Sequence, residues 1–163
     1  HKGLVEMHKL GVIPRVPRML GVQSENARAL VAAFETQAAT IKPSNARSLA
    51  DSINVGTPRN PRKALRSVRD SGGAMIAVPD ADILKWMGLS GRTTGIFGEP
   101  AAVAAIAGGA KARAEGLIKA TDRVLCVRSG NGLKDIARAQ EAGARAEPSA
   151  PTLEAVHGAL VAT

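Results

Sequence analysis

Three short apolar runs constrain the fold: RMLGVQ at residues 18–23, AMIAV at 74–78 and RVLCVRS at 123–129. Each is too short for a stable helix, and the stretches between them carry helical periodicity, so each run reads as a buried strand. Strands that alternate with helices imply a parallel sheet covered on both faces and joined by right-handed crossovers. The expected class is α/β, three-layered, with a mostly parallel sheet and helices on both faces. Three strands make a thin sheet for that architecture, so the domain is expected to be incomplete.

The helical stretches have readable ends. HKGLVEMHKLG starts inside a helical pattern with no capping residue and no initiator methionine before it, and Gly11, Pro14 and Pro17 stop it. Ser24 reads as the cap of a helix over 25–35, with Ala29, Leu30, Ala33 and Phe34 inward. Residues 36–48 are polar, and Gly56, Pro58 and Pro61 break regular structure. A basic amphipathic helix covers 60–71 and ends at Gly72 and Gly73. Pro79, followed by two acids, opens the next helix. An alanine-rich helix over 100–115 suits close packing on a sheet, and Thr152 caps a last one. Residues 1–147 read as one domain and 148–163 as a C-terminal helical tail.

Composition narrows the function. The chain of 163 residues has a formal charge of +8 and only 2% aromatic residues, with no tyrosine. Base-stacking surfaces need aromatic platforms, and the positive charge is dispersed, so both features count against nucleic acid as a partner. The densest cluster, Arg59, Arg62, Lys63, Arg66 and Arg69, is a solvated helix face. The single cysteine, Cys126, lies within an apolar run and is expected to be a small buried hydrophobe. One thiol requires no oxidising compartment, no run is long enough to span a membrane, and a cytoplasmic location is expected. His1, His8 and His157 lack metal-ligand spacing, so no metal is expected. Trp86 is expected in the core.

Ligands of open α/β sheets collect at the carboxyl ends of the strands. SGNGLKD, from Ser129, occupies such an end. It is neither a phosphate-binding P-loop nor a dinucleotide fingerprint, because Asp135 stands where a third glycine would be. The turn offers the Ser129 hydroxyl, the Asn131 amide and the backbone around Gly130, enough to hydrogen-bond the polar edge of a flat ligand. A plain glycine turn explains the same residues. In SINVGTP, Gly56 allows close backbone approach, and again a simple turn suffices. Glu99 precedes Pro100 at a helix start, where the helix dipole by itself accounts for an acid.

Taken together, PRMLGVQSE, ADSINVGTPRNPRKALRSVRDSGG, GIFGEPAAVAAIAG and VRSGNGLKD resemble, in order and spacing, the C-terminal half of threonine synthase. The resemblance implies a tryptophan-synthase-beta-like fold and pyridoxal phosphate as cofactor. It implies that Ser129, where threonine is commoner, faces the pyridine nitrogen, with Gly130 and Asn131 in the same turn. It also implies that Ser52, Ile53 and Gly56 pass beside the ring and that Glu99 belongs to a Glu-Pro-Ala element near it. Ala102 departs from the small polar residue or glycine frequent there. The family's imine-forming lysine sits in an N-terminal SFKD-type motif, and its phosphate loop is rich in glycine and asparagine; neither is found in this sequence. Lys134 is expected to be a bystander. The resemblance thus implies a C-terminal part, inactive alone, of an enzyme that converts O-phosphohomoserine and water to threonine and phosphate. Its partners would be the substrate and an N-terminal half, with a homodimer left open. Threonine dehydratase and cysteate synthase are the near alternatives. An anion- or nucleic-acid-binding basic module is the alternative of another class.

Overall fold

A computed structural model describes residues 1–143 and 148–161. It contains α1 (Lys2–Lys9), β1 (Leu20–Ser24), α2 (Ala29–Glu35), α3 (Pro61–Asp70), β2 (Ala74–Val78), α4 (Asp80–Thr94), α5 (Pro100–Ala114), α6 (Ile136–Ala142) and α7 (Leu153–Val161). Single 3₁₀ turns lie at Glu25–Ala27, Asp51–Ile53 and Gly132–Lys134.

β1 and β2 pair in parallel, with Val22 opposite Ile76 and Ser24 opposite Val78. Alternation along β1 assigns the two faces. Val22 meets α5, where a Cβ on Gly108 would lie 2.4 Å from its Cγ2. Gln23 turns the other way, and its Oε1 accepts from Leu30 N at 2.9 Å and Val31 N at 3.0 Å in the first turn of α2. That bond does the work of a cap, since Arg28, at the capping position, makes no side-chain cap bond. α5 therefore covers one face and α2 the other, as the alternating pattern requires. The core joins Ala50, Val78, Ile83, Ala104 and Ala107, with Trp86 half-buried against it.

The short apolar run at 74–78 forms its strand with the expected bounds. Ser24 does cap, its Oγ accepting from Asn26 N at 3.0 Å, but the helix over 25–35 is split into a 3₁₀ turn and α2. The third expected strand does not form. Residues 122–129 are irregular, with Leu125 89% and Val127 73% exposed. Cys126 is exposed too, contrary to the buried hydrophobe expected of it, and its Sγ lies 3.8 Å from Ala105 O of α5. The physical reason is that apolar composition favours an extended segment, whereas a strand needs a neighbouring edge to bond. This segment runs beside a helix instead of beside β1 or β2. The expected domain boundary at residue 147 lies outside the described residues.

Candidate functional site

Two chain turns close on one another to build the site. α4 ends at Gly95, whose φ of 68° suits glycine, and residues 96–99 then lead into α5 at Pro100. The second turn, SGNG, docks against this segment. Gly98 and Asn131 form an antiparallel bridge. Glu99 N donates to Gly130 O at 3.1 Å, and Gly132 N donates to Phe97 O at 3.0 Å. The contact is close enough to require both glycines. A Cβ on Gly130 would lie 1.7 Å from Glu99 Oε1, and one on Gly132 would lie 2.3 Å from Phe97 Cδ1. Asn131 Oδ1 accepts from Leu133 N at 2.9 Å, which caps the Gly132–Lys134 turn.

Glu99 is 7% exposed. A carboxylate so buried needs partners. It does not cap α5 with its side chain. Lys134 Nζ donates to its Oε1 at 3.0 Å, and Ser52 Oγ donates to its Oε2 at 3.4 Å. The helix dipole is thus not the whole account of this acid, and Lys134 is not a bystander to it. Nothing in the sequence links positions 35 apart, so only the docked turn reveals the pair.

The loop that brings Ser52 here hangs from Asp80, the first residue of α4. Ser24 Oγ and Ser48 Oγ donate to Asp80 Oδ1 at 2.6 and 2.8 Å. Asn26 Nδ2 and Leu49 N donate to Oδ2 at 3.0 and 2.9 Å. Partial burial is the largest single influence and pushes this carboxyl's pKa up. The bonds from Ser24, Asn26, Leu49 and Ser48 together outweigh it and hold the group below its ordinary value. In the sequence, Asp80 is only an acid that favours a helix start, directly after Pro79 and the apolar run at 74–78.

A cleft of about 310 Å³ opens between these parts, lined by Asp51, Ser52, Glu99, Pro100, Lys134 and Asp135 among others. It lies off the carboxyl end of β2, since its loop is tied to Asp80. Of the sequence-selected residues, Ser52, Glu99 and Gly130 meet directly. Ser129 is exposed beside them on the same turn as Asn131. Ile53 packs against the core cluster. Gly56 stands apart: a Cβ there would lie 2.3 Å from Ser44 O, so the loop's own backbone explains the glycine.

Residues 3–130 match the family model described as pyridoxal-phosphate dependent enzyme. The threonine synthase of Methanocaldococcus jannaschii is 40% identical over 82% of this chain and 33% of its own length. That of Mycobacterium tuberculosis is 37% identical over 82% of this chain and 35% of its own. The chain spans about a third of the length of the curated relatives it matches. Among solved structures, a T.th. threonine deaminase superposes with a TM-score of 0.53 over 68% of this chain and 39% of that one. At 19% identity, that likeness shows a shared fold. With an α/β sheet of the same kind and a family match over most of its length, this chain belongs to the pyridoxal-phosphate dependent enzyme family.

Proposed function

We propose that this chain is the C-terminal part of a threonine synthase and supplies the ring-nitrogen side of its pyridoxal phosphate pocket. The observation that carries this is the convergence of Ser52, Glu99 and Lys134 on one cleft, with the SGNG turn docked directly on Glu99. The donor set fits that side of the cofactor. Ser129 displays a neutral hydroxyl, while the buried carboxylate of Glu99 is already engaged by Lys134 and Ser52. A neutral hydroxyl can hydrogen-bond a pyridine nitrogen without holding a proton on it, unlike the acid many related cofactor sites use.

Pyridoxal phosphate, when bound, supplies an electron sink that stabilises carbanions. The chain's own contribution is placement. Ser129, with Gly130 and Asn131 shaping its turn, would hydrogen-bond the ring nitrogen. Ser52 and the 3₁₀ turn through Ile53 would flank the ring, with Gly56 shaping the exit of the loop. Glu99 ties that loop to the turn. Lys134 pairs with Glu99, and in this reading the imine-forming lysine is another residue, on an N-terminal part. The substrate in this reading is O-phosphohomoserine, and the products are threonine and phosphate.

The test supplies this chain with the N-terminal part that its relatives possess and assays O-phosphohomoserine and threonine as alternative substrates. Threonine and phosphate released from O-phosphohomoserine are expected. Formation of 2-oxobutyrate from threonine alone would assign the protein to the dehydratases instead.

A further inference from the structure

The loop from Ser44 to Gly56 has little regular structure beyond one 3₁₀ turn, yet it carries Ser52 to Glu99. Few of its bonds reach the rest of the fold. Arg47 N donates to Asn26 O at 3.0 Å, and Ser48 and Leu49 both donate to Asp80. Ser48 also organises the loop itself. Its N donates to Asn54 Oδ1 at 2.9 Å and its Oγ accepts from Ala50 N at 3.0 Å. Asp80 in turn receives Ser24 from the end of β1 and Asn26 from the following turn. One carboxylate thus joins both strand ends, α4 and the loop.

Resting on the assignment of Ser52 and Glu99 to the cofactor side, we propose that Asp80 is a positioning residue for that side. It touches no reacting group. It acts by holding Ser48 and Leu49, which sets the Asp51–Ile53 turn and so the reach of Ser52 to Glu99. Both carboxylate oxygens are needed, because each accepts two bonds. In Asp80→Ala all four donors lose their acceptor, so the loop loses its anchor. Asp80→Asn is the milder change, because a flipped amide can accept from Asn26 Nδ2 and Leu49 N and donate to the Ser24 and Ser48 hydroxyls.

Amide hydrogen exchange on this chain tests the proposal. In Asp80→Ala, amides of residues 48–54 are expected to exchange about tenfold faster or more, while those of α5 keep their protection. Ser48→Ala, which leaves the carboxylate in place, should give a smaller acceleration confined to the same residues. Unchanged exchange at 48–54 in Asp80→Ala would overturn the proposal. So would equal acceleration in α5 and the loop, which would make Asp80 a general stabiliser. Exchange needs no cofactor. Failure of the longer wild-type polypeptide to bind pyridoxal phosphate would sink the cofactor reading and leave the loop result standing.

Discussion

At the scale of single residues, Gly130 and Asp80 show how much one atom decides. A Cβ on Gly130 would meet not only Glu99 Oε1 but also its Cδ at 2.3 Å and Cγ at 2.6 Å. The whole Glu99 side chain must leave, and with it the bonds to Lys134 and Ser52. Gly130→Ala is therefore expected to destabilise the chain by about 1–3 kcal/mol in urea unfolding. Lys134→Ala should cost about 1–3 kcal/mol, because although the lysine end is 60% exposed the change leaves the Glu99 carboxylate, only 10% exposed, with Ser52 at 3.4 Å. Asp80 adds a pH dependence of definite sign. Its folded pKa lies below the ordinary 3.8, so the folded chain binds this proton less readily than the unfolded one. The stabilisation is complete above that ordinary value and is lost as pH falls through the lower, folded one. Urea midpoints measured downward from about pH 5 should show the gap between wild type and Asp80→Asn shrinking as the carboxyl titrates.

At the scale of elements, α5 rests on the sheet through small residues. Gly108 sits on Val22, with Cγ2 2.4 Å and Cγ1 2.6 Å from the place a Cβ would take. Alanine would gain up to about 1 kcal/mol of helix propensity there. Overpacking against a β-branched side chain costs about 1–3 kcal/mol, so the cost wins. Gly109, one residue on, has only Cys126 Sγ at 3.8 Å, an ordinary contact. Gly109→Ala is expected to stabilise by roughly 0.5–1 kcal/mol. Thermal unfolding of the two variants should thus shift in opposite directions, and shifts of the same sign would contradict this packing. The alanine-rich composition marked the helix as a close-packing one. It could not say which of two adjacent glycines faces the sheet.

At the scale of the whole molecule, the two-stranded sheet leaves an apolar segment uncovered. Leu125 is 89% exposed and Val127 73% exposed, with Val124 at 53% beside them. Exposed apolar side chains close together in sequence favour association. Leu125→Ser is expected to change stability by less than about 0.5 kcal/mol, since the side chain loses no burial. The same variant should lower binding of a hydrophobic dye and reduce self-association in sedimentation; a cooperative loss of stability would mean the segment is packed after all. By itself the sequence determined the α/β alternation, the bounds of β2 and the start of α5 at Pro100. These depend on periodicity, proline and glycine, which act within a few residues. The resemblance to threonine synthase was legible as well, because its motifs are local strings. Only the tertiary structure decided that the third apolar run is no strand, that Cys126 is exposed, and that Lys134 and Ser52 converge on Glu99. It alone showed Asp80 gathering four donors from two separate stretches of chain. Strand pairing and buried polar bonds need partners distant in sequence, and local composition says nothing about which partner will arrive.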